Sequence, residues 1–504
     1  MHIPILPVLI PLIVGFILLI VRKNGINTQR TISLISVATL IFISIYALSL
    51  TNLYGNMVYT LGNWEAPFGI VLVLDQLSII MVLITSILAF GALWYSISEN
   101  IDIKGSHFHV LFQLQLFGIN GAFLTGDVFN LFVFFEILLL ASYSLMLHGQ
   151  GEGRTKAGLH YVVINLVGST LFLFAVGTLY GILGTLNIAD MAYKVSLLGP
   201  DDISIVAAAG LLLLVVFGLK AAMFPLYLWL PGAYSKTSAP VAALFAIMTK
   251  VGIYAIIRVH GTVFGESAGE LAYYYIPWVL NIGLITLILA TFGVLSSKEL
   301  KTQVAYLVLA SVSILLISIG INTPEALSGT IYYMVHSTLI AGGFFLMADI
   351  IVKARGGVDD LTKQMPIFQN GILIGSFFFL FAIAAAGLPP LSGFFGKIMI
   401  LYSALEGTQK ASILSIILIS SLLVVIALAK TGTTIFYDTT PDAKPTEYTL
   451  SKSSMGAIIF LFAFSPLLVI FANPISEFTS LVATNLFDTS GYVKSVLNNT
   501  LELP

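Results

Sequence analysis

Cysteine is absent from this 504-residue sequence, and charged residues make up only 9% of it. The absence of cysteine excludes disulfides, thiolate metal sites, iron–sulfur ligation and cysteine nucleophiles. The sequence also lacks a nucleotide-binding loop and a flavin site, so the chain alone is not expected to be an enzyme, and we predict neither a cofactor nor a metal. A net charge of −2 gives no electrostatic reason to expect a nucleic-acid partner.

Long apolar runs dominate the chain, which is 58% hydrophobic with a mean hydropathy of +1.01. Runs near 20 residues are long enough to cross a bilayer as helices. The sequence therefore predicts an all-α polytopic membrane protein with about fourteen transmembrane helices in contact with lipid. The predicted spans are 3–21, 32–51, 69–97, 108–124, 128–147, 157–183, a broken 203–233, 239–259, 272–295, 303–321, 327–352, a broken 370–405, 412–436 and 455–472.

The basic residues of the loops predict the orientation, because lysine and arginine accumulate on the cytoplasmic side of short loops. One set of alternate loops contains fourteen of them: Arg22, Lys23, Arg30, Lys104, Arg154, Lys156, Lys236, Lys298, Lys301, Lys353, Arg355, Lys363, Lys444 and Lys452. The other set, with the C-terminal tail, contains four: Lys194, Arg258, Lys410 and Lys494. Both termini are therefore predicted to lie outside. The remaining basic residues, Lys220, Lys250, Lys397 and Lys430, fall within predicted spans.

The stretch 218–258 contains the strongest functional signal. Lys220 and Lys250 lie in apolar sequence, where a charged side chain costs roughly 3 kcal/mol or more. Pro225 and Pro231 interrupt the helix between them and free backbone groups that lipid cannot satisfy. These features predict an ion path inside a helix bundle.

Glu136 is the acidic residue that lies deepest within an apolar run. Its neighbours three and four residues away are apolar, so a partner for its carboxylate must come from another helix. Counting from Asp127 at the predicted outer end places Glu136 about 14 Å deep, and counting from Pro240 at the inner end places Lys250 about 15 Å deep. In a hydrocarbon core about 30 Å thick, both residues are predicted to lie near the midplane.

Two broken helices in corresponding positions indicate an internal repeat. The seventh predicted span has Lys220 before its prolines, and the twelfth has Lys397 after Pro389 and Pro390. Such pairs are typical of transporters with inverted repeats and binding sites near the midplane. We therefore divide the chain into 1–107 with helices 1–3, 108–260 as a first repeat with helices 4–8, 261–436 as a second, inverted repeat with helices 9–13, and 437–504 with helix 14 and the tail.

Four motifs carry a family resemblance: Glu136 in its FFE setting, the run GLKAAMFPLYLWLPGAYSKTSAPVAALF, Lys250 in TKVGIY, and GLPPLSGFFGK. Together they resemble the antiporter-like subunits shared by respiratory complex I, membrane-bound hydrogenases and Mrp-type Na+/H+ antiporters, over roughly Val71 to Ala429. Within that superfamily, GDVFNLFVFFEILLLASY, the chain length and Lys397 are most similar to the D subunits of the Mrp antiporters. The complex I subunit of similar size usually has glutamate at the position of Lys397.

The resemblance implies a proton-translocating subunit of a multisubunit Na+/H+, or monovalent cation/proton, antiporter in the bacterial cell membrane. Its implied partners are the other membrane subunits of that complex, protons and Na+. The residues implied to relay protons are Glu136 paired with Lys220, the central Lys250, His336 as the link between the repeats, and the terminal Lys397. Ser169, Thr249, Tyr254 and Tyr333 supply hydroxyls that can hold water between these charged groups.

Structural alternatives exist for most of these residues. Glu136 and Lys220 could form a static ion pair that only fixes helix packing. His336 could be a satisfied interhelical histidine, and Lys397 could extend its amine to the membrane surface, as is expected of Lys430. Three acidic residues at span ends are expected to be interfacial or to cap helices: Asp75, Asp127 and Asp349.

Three classes of function are consistent with the sequence. The chain could be a subunit of a cation/proton antiporter, the proton-pumping module of a complex I-like or hydrogenase-like redox assembly, or a purely structural subunit. Only Glu136 offers an acid at midplane depth, whereas hard cations bind several oxygen ligands. We therefore expect Na+ to pass through another subunit.

Overall fold

The structure is a computed structural model that describes residues 2–366, 368–440 and 448–497. Lys444, counted above among the basic loop residues, lies outside the described residues. The helices of the first half are α1 Leu6–Ile20, α2 Ile26–Tyr54, α3 Gln76–Ser98, α4 Phe108–Leu124, α5 Val128–Met146, α6 Glu152–Leu183, α7 Ile188–Ser196, α8 Pro200–Lys220, α9 Trp229–Lys236, α10 Ala239–Phe245, α11 Met248–Ala255 and α12 Gly261–Val263. Those of the second half are α13 Ile276–Ser296, α14 Leu300–Ile321, α15 Pro324–Ala354, α16 Gly371–Ala386, α17 Ser392–Ser403, α18 Lys410–Phe436, α19 Lys452–Ile470, α20 Ala472–Phe487 and α21 Thr489–Val496.

Membrane-spanning helices account for most of the described chain. Twelve helical segments of the described residues are long and apolar enough to cross a bilayer, and α4 and α16 are two shorter apolar helices. Together these fourteen segments correspond to the predicted spans, and the prediction of an all-α polytopic membrane protein is confirmed. The division into two inverted five-helix repeats stays a prediction.

Both predicted helix breaks are present. The first separates α8, which ends at Lys220, from α9, and a short 3-10 turn at Leu226–Leu228 follows Pro225 within it. The second follows Ala386, where Gly387 adopts a left-handed conformation with φ of 76° and ends α16. Glycine tolerates this conformation without steric cost. Each break therefore frees backbone groups at the end of a helix.

The third predicted span begins later than the sequence indicated. Val71–Leu74 is not helical but forms strand β2, which pairs antiparallel with strand β1, Met57–Thr60. Its β-branched and leucine residues are all buried, which suits an extended strand. Asp75 then caps α3, because its carboxylate accepts from the backbone N–H of Ser78 at 2.8 Å. The predicted start of this span at residue 69 was therefore wrong, whereas the capping role of Asp75 is confirmed.

Two short helices after the last span were not predicted. Helix α20 packs against α15, and α21 packs against α7 and the β-hairpin strand β1. The C-terminal segment thus folds back onto the end of the bundle that the loop charges predict to be outside.

The broken eighth span, formed by α10, α11, a π-helical turn at Ile256–His260 and α12, lies in the centre of the bundle. All residues of its most apolar stretch are buried, whereas about nine-tenths of the residues in the most apolar stretch of α15 are buried. It contacts α3, α4, α8, α14 and α15. Any polar side chain on this span therefore lies in protein rather than in lipid.

Candidate functional site

Lys250 lies at the middle of the central broken span and is completely buried. Its Nζ donates to Ser311 Oγ on α14 over 3.3 Å. No carboxylate pairs with this amine among the described residues. A buried ammonium without a counter-ion is costly, so packing alone does not account for a lysine at this position.

Glu136 and Lys220, the pair that the family resemblance implies, are not in direct contact, and the alternative of a static ion pair does not hold. In the part of the chain that the structure describes, Glu136 Oε1 instead accepts from the Ser169 hydroxyl, and Lys220 Nζ donates to Asn165 Oδ1 at 3.1 Å. Asn165 and Ser169 are four residues apart on α6 and therefore lie on one helical face. The predicted partner from another helix exists, but it is a pair of neutral side chains that bridges the two charges.

The hydroxyl of Ser169 has a choice of acceptor. Its oxygen lies within hydrogen-bond distance of the Glu136 carboxylate and, at 3.1 Å, of the Asn165 carbonyl oxygen. A hydroxyl has one proton and can donate to one acceptor at a time. Rotation of this hydroxyl would therefore change the hydrogen bonding of Glu136 and of the residue that holds Lys220.

Lys397 is buried rather than directed to the membrane surface. Its Nζ donates to the carbonyl oxygen of Ala386 at 2.7 Å and to Ser421 Oγ at 3.0 Å. Ala386 is the last residue of α16, and the C-terminal end of a helix attracts positive charge. The helix break thus creates the acceptor that holds this ammonium.

His336 lies on α15 against the second half of the same broken helix. Its Nδ1 is 2.7 Å from Ser392 Oγ, which is 2.8 Å from Ser465 Oγ. The ring of Tyr333 lies one turn away, with the two ring centroids 5.6 Å apart. His336 is therefore part of a hydroxyl network and has no carboxylate partner among the described residues.

Two small cavities connect the surroundings of Lys250, His336 and Lys397. Both are lined by Ser311, the acceptor of the Lys250 hydrogen bond, and by Tyr333. One of them also reaches Lys397 and the other His336. Each leaves about 20 Å³ open to the centre of a water molecule, enough for one water beside polar partners. The structure therefore brings three of the five predicted residues into one polar cluster.

The end of α8 at Lys220 is in close contact with α11, the helix that carries Lys250. Gly252 on α11 packs so tightly on the end of α8 that a Cβ atom would lie 2.5 Å from the Ala221 nitrogen and 2.9 Å from the Lys220 carbonyl carbon. Only glycine fits such an approach. The backbone of Lys220 therefore lies against the helix that carries Lys250.

Asp349 belongs to a buried charge network that the sequence did not predict. Its carboxylate is 2.7 Å from Lys301 Nζ and 2.9 Å from Lys353 Nζ, and it accepts from the Tyr95 hydroxyl at 2.9 Å. Lys353 also pairs with Glu99 at 2.6 Å. Asp349 does not cap a helix, whereas its expected interfacial position stays a prediction. The spacing of Lys353 four residues later was an available signal for the ion pair.

Three further residues considered in the sequence, Arg258, Asp127 and Lys430, lie in different surroundings. Arg258 was expected in a loop, but it is buried in the π-helical turn and pairs with Asp75. Asp127 caps α5, as expected, by accepting from the backbone N–H of Asn130 at 2.8 Å. Lys430 is exposed on α18, and its expected extension to the membrane surface stays a prediction.

Comparisons with known proteins find relatives that match most of the chain. A family model described as "NADH:quinone oxidoreductase/Mrp antiporter, TM" matches residues 125–427. The chain is 39% identical over 497 residues to a Rhizobium meliloti protein named as the D subunit of a probable K(+)/H(+) antiporter, covering 91% of this chain and 92% of that one. It is 36% identical over 499 residues to the D subunit of an Na(+)/H(+) antiporter of Alkalihalophilus pseudofirmus, covering 98% and 99%.

A solved structure is similar over nearly the whole chain. It is a chain of the Mrp complex from a Dietzia species, with a TM-score of 0.88, 25% sequence identity, and coverage of 98% of this chain and 99% of that one. The helix breaks and buried lysines described above therefore lie within a fold that also occurs in a multisubunit membrane complex.

Proposed function

Because this chain belongs to the NADH:quinone oxidoreductase/Mrp antiporter transmembrane family, we propose that it is the proton-translocating D-type subunit of a multisubunit monovalent cation/proton antiporter. Protons move along Glu136, Lys220, Lys250, His336 and Lys397. The partners are the other membrane subunits of the complex, and the chain is a secondary transporter component rather than an enzyme.

The burial of three unpaired lysines carries this proposal. Lys220, Lys250 and Lys397 are 6%, 0% and 8% exposed, and among the described residues none forms an ion pair. A static structural role would predict close ion pairs, because a lone buried charge destabilises the fold. Each of these amines instead ends on a neutral oxygen, which accommodates a lysine that alternates between its charged and neutral forms.

The transported cation is proposed to bind outside this subunit. Glu136 is the one carboxylate of the described chain in the proposed proton path, and a hydroxyl already occupies one of its oxygens. Alkali cations require several oxygen ligands, as hard cations do in general. Relatives named for K+/H+ and for Na+/H+ antiport leave two candidates, Na+ and K+, and we propose Na+.

Exchange in membrane vesicles tests this function. Everted vesicles containing the complete complex are energised and then given Na+ or K+, and a pH-sensitive dye reports the internal pH. We expect the pH gradient to collapse on addition of Na+. Vesicles that respond to neither cation would contradict the proposal, and copurification with iron–sulfur subunits would favour the redox-driven alternative.

We further propose the bacterial cell membrane as the location, with both termini outside. Cysteines introduced at Lys104 and at Asp201, both exposed, should react with impermeant thiol reagents from opposite sides. Because the chain contains no native cysteine, each label reports one position. We expect Lys104→Cys to react only from the cytoplasmic side and Asp201→Cys only from outside. The reverse result would overturn the orientation.

A further inference from the structure

A polar cavity at the predicted outer end of the bundle contains none of the five residues of the proposed proton path. Charged and polar residues from the β-hairpin region, the central broken span and the C-terminal helices line it, among them Asp75, Arg258, Thr262, Thr489 and Tyr492. It leaves about 30 Å³ open to the centres of water molecules, which is enough for water beside such partners.

Two hydroxyls in the wall of this cavity lack protein partners. Thr489 and Tyr492 are each 6% exposed, and neither hydroxyl has a hydrogen-bond partner among the described residues. Buried polar groups in folded proteins are almost always satisfied by protein or by ordered water. The two hydroxyls therefore indicate that water occupies the cavity.

Asp75 and Arg258 form the floor of the cavity. Their side chains are hydrogen-bonded to each other and almost completely buried. The guanidinium also lies over the ring of Tyr492, at 5.1 Å from the ring centroid, and Nε donates to the Tyr254 hydroxyl at 3.2 Å. A metal cation that bound the Asp75 carboxylate would have to displace this fixed positive charge, so the cavity favours water over Na+ or K+.

The floor is connected to Lys250 through one helix. Lys250, Tyr254 and Arg258 are spaced four residues apart, so that successive side chains leave the helix as near neighbours on one face. The Tyr254 hydroxyl accepts from Arg258 and donates to the carbonyl oxygen of Phe123 at 2.5 Å. Tyr254 thus contacts the arginine at the floor of the cavity and lies one turn from Lys250 on the same helix face.

We propose that this cavity is the outer vestibule of the proton path, through which water and protons approach Lys250 along the helix face that carries Tyr254, while the Asp75–Arg258 pair excludes metal cations. The inference rests on the proposed function, because it assigns an outer access point to the same lysine. Thr262, in the wall of the cavity, is a suitable position for blocking it.

Labelling of a single cysteine tests the vestibule. Cells that express the complex with Thr262→Cys are treated from outside with 2-sulfonatoethyl methanethiosulfonate, a small impermeant reagent, and exchange is then measured in everted vesicles. We expect labelling to remove most of the exchange and a reducing agent to restore it. Ser480→Cys, exposed on α20 and outside the cavity, is the matched control and should be labelled without loss. Thr489→Cys replaces Thr262→Cys if the latter complex does not assemble.

The outcomes separate the two proposals. Four results would each overturn the vestibule proposal. The cavity cysteine could fail to react from outside, or react only from inside. Labelling could leave exchange unchanged, or the Ser480→Cys control could lose exchange equally. Absence of exchange in the unlabelled Ser480→Cys complex would instead contradict the proposed antiport function, whatever the labelling shows.

Discussion

Replacement of Lys250 by alanine is expected to abolish cation/proton exchange while the complex still assembles. The residue is completely buried in the central span, and Ser311 is its hydrogen-bond partner. Alanine leaves a small polar gap that water can fill, but it removes the group that binds the proton. We expect a loss of about a hundredfold or more, the range typical of removing a positioned proton-transfer group, measured as the initial rate of dye response per amount of complex.

Lys250→Arg separates proton transfer from a purely electrostatic role. Arginine keeps the positive charge but holds its proton at all ordinary pH values, so we expect it to be as inactive as alanine. Lys430→Ala is the matched control, because Lys430 is exposed on α18, and it should retain normal exchange. Substantial activity in Lys250→Arg would show that position 250 supplies charge rather than protons.

The helices were predictable from sequence because the bilayer imposes a strong and regular constraint on them. A span must be near 20 apolar residues, and the predicted 108–124 and 128–147 agree with α4 and α5 to within one residue. The strand Val71–Leu74 was missed because a short buried strand and the start of an apolar helix have the same composition. Only the pairing with β1, in which Thr60 lies opposite Val71 and Met57 opposite Leu74, distinguishes them.

The buried lysines were predictable as functional candidates because charge is rare and costly in lipid. Their partners were not, since they are neutral residues on other helices. Asn165 in α6 has no feature in the sequence that distinguishes it from other helical asparagines, and Ser169 was only one of several candidate hydroxyls. The Ala386 carbonyl that holds Lys397 becomes available only because α16 ends there. Charge and helix breaks are therefore visible in a single sequence, whereas the neutral bridges depend on how helices pack.

Glu136 and Lys220 are expected to act as one unit through α6 rather than by direct contact. Glu136 is linked to Ser169, and Lys220 to Asn165, which lies one turn away. Neutralising the carboxylate by Glu136→Gln would change the proton affinity of the lysine. Asn165→Leu would remove the acceptor of the lysine while keeping a side chain of similar size. Either change should impair the transfer of charge between the two sites.

A double-mutant comparison tests this unit. Glu136→Gln and Lys220→Ala should each remove most of the exchange, and the double mutant should be little worse than either single mutant, because residues that act together are not additive. Asn165→Leu should produce a similar loss, and its combination with Glu136→Gln should add little. Glu152→Gln, an exposed acid in the first turn of α6, is the control and should be neutral. Initial rates at constant complex level decide the outcome. If the effects of Glu136→Gln and Lys220→Ala multiply as those of independent sites do, or if Asn165→Leu is active, the bridge through α6 does not couple the two charges.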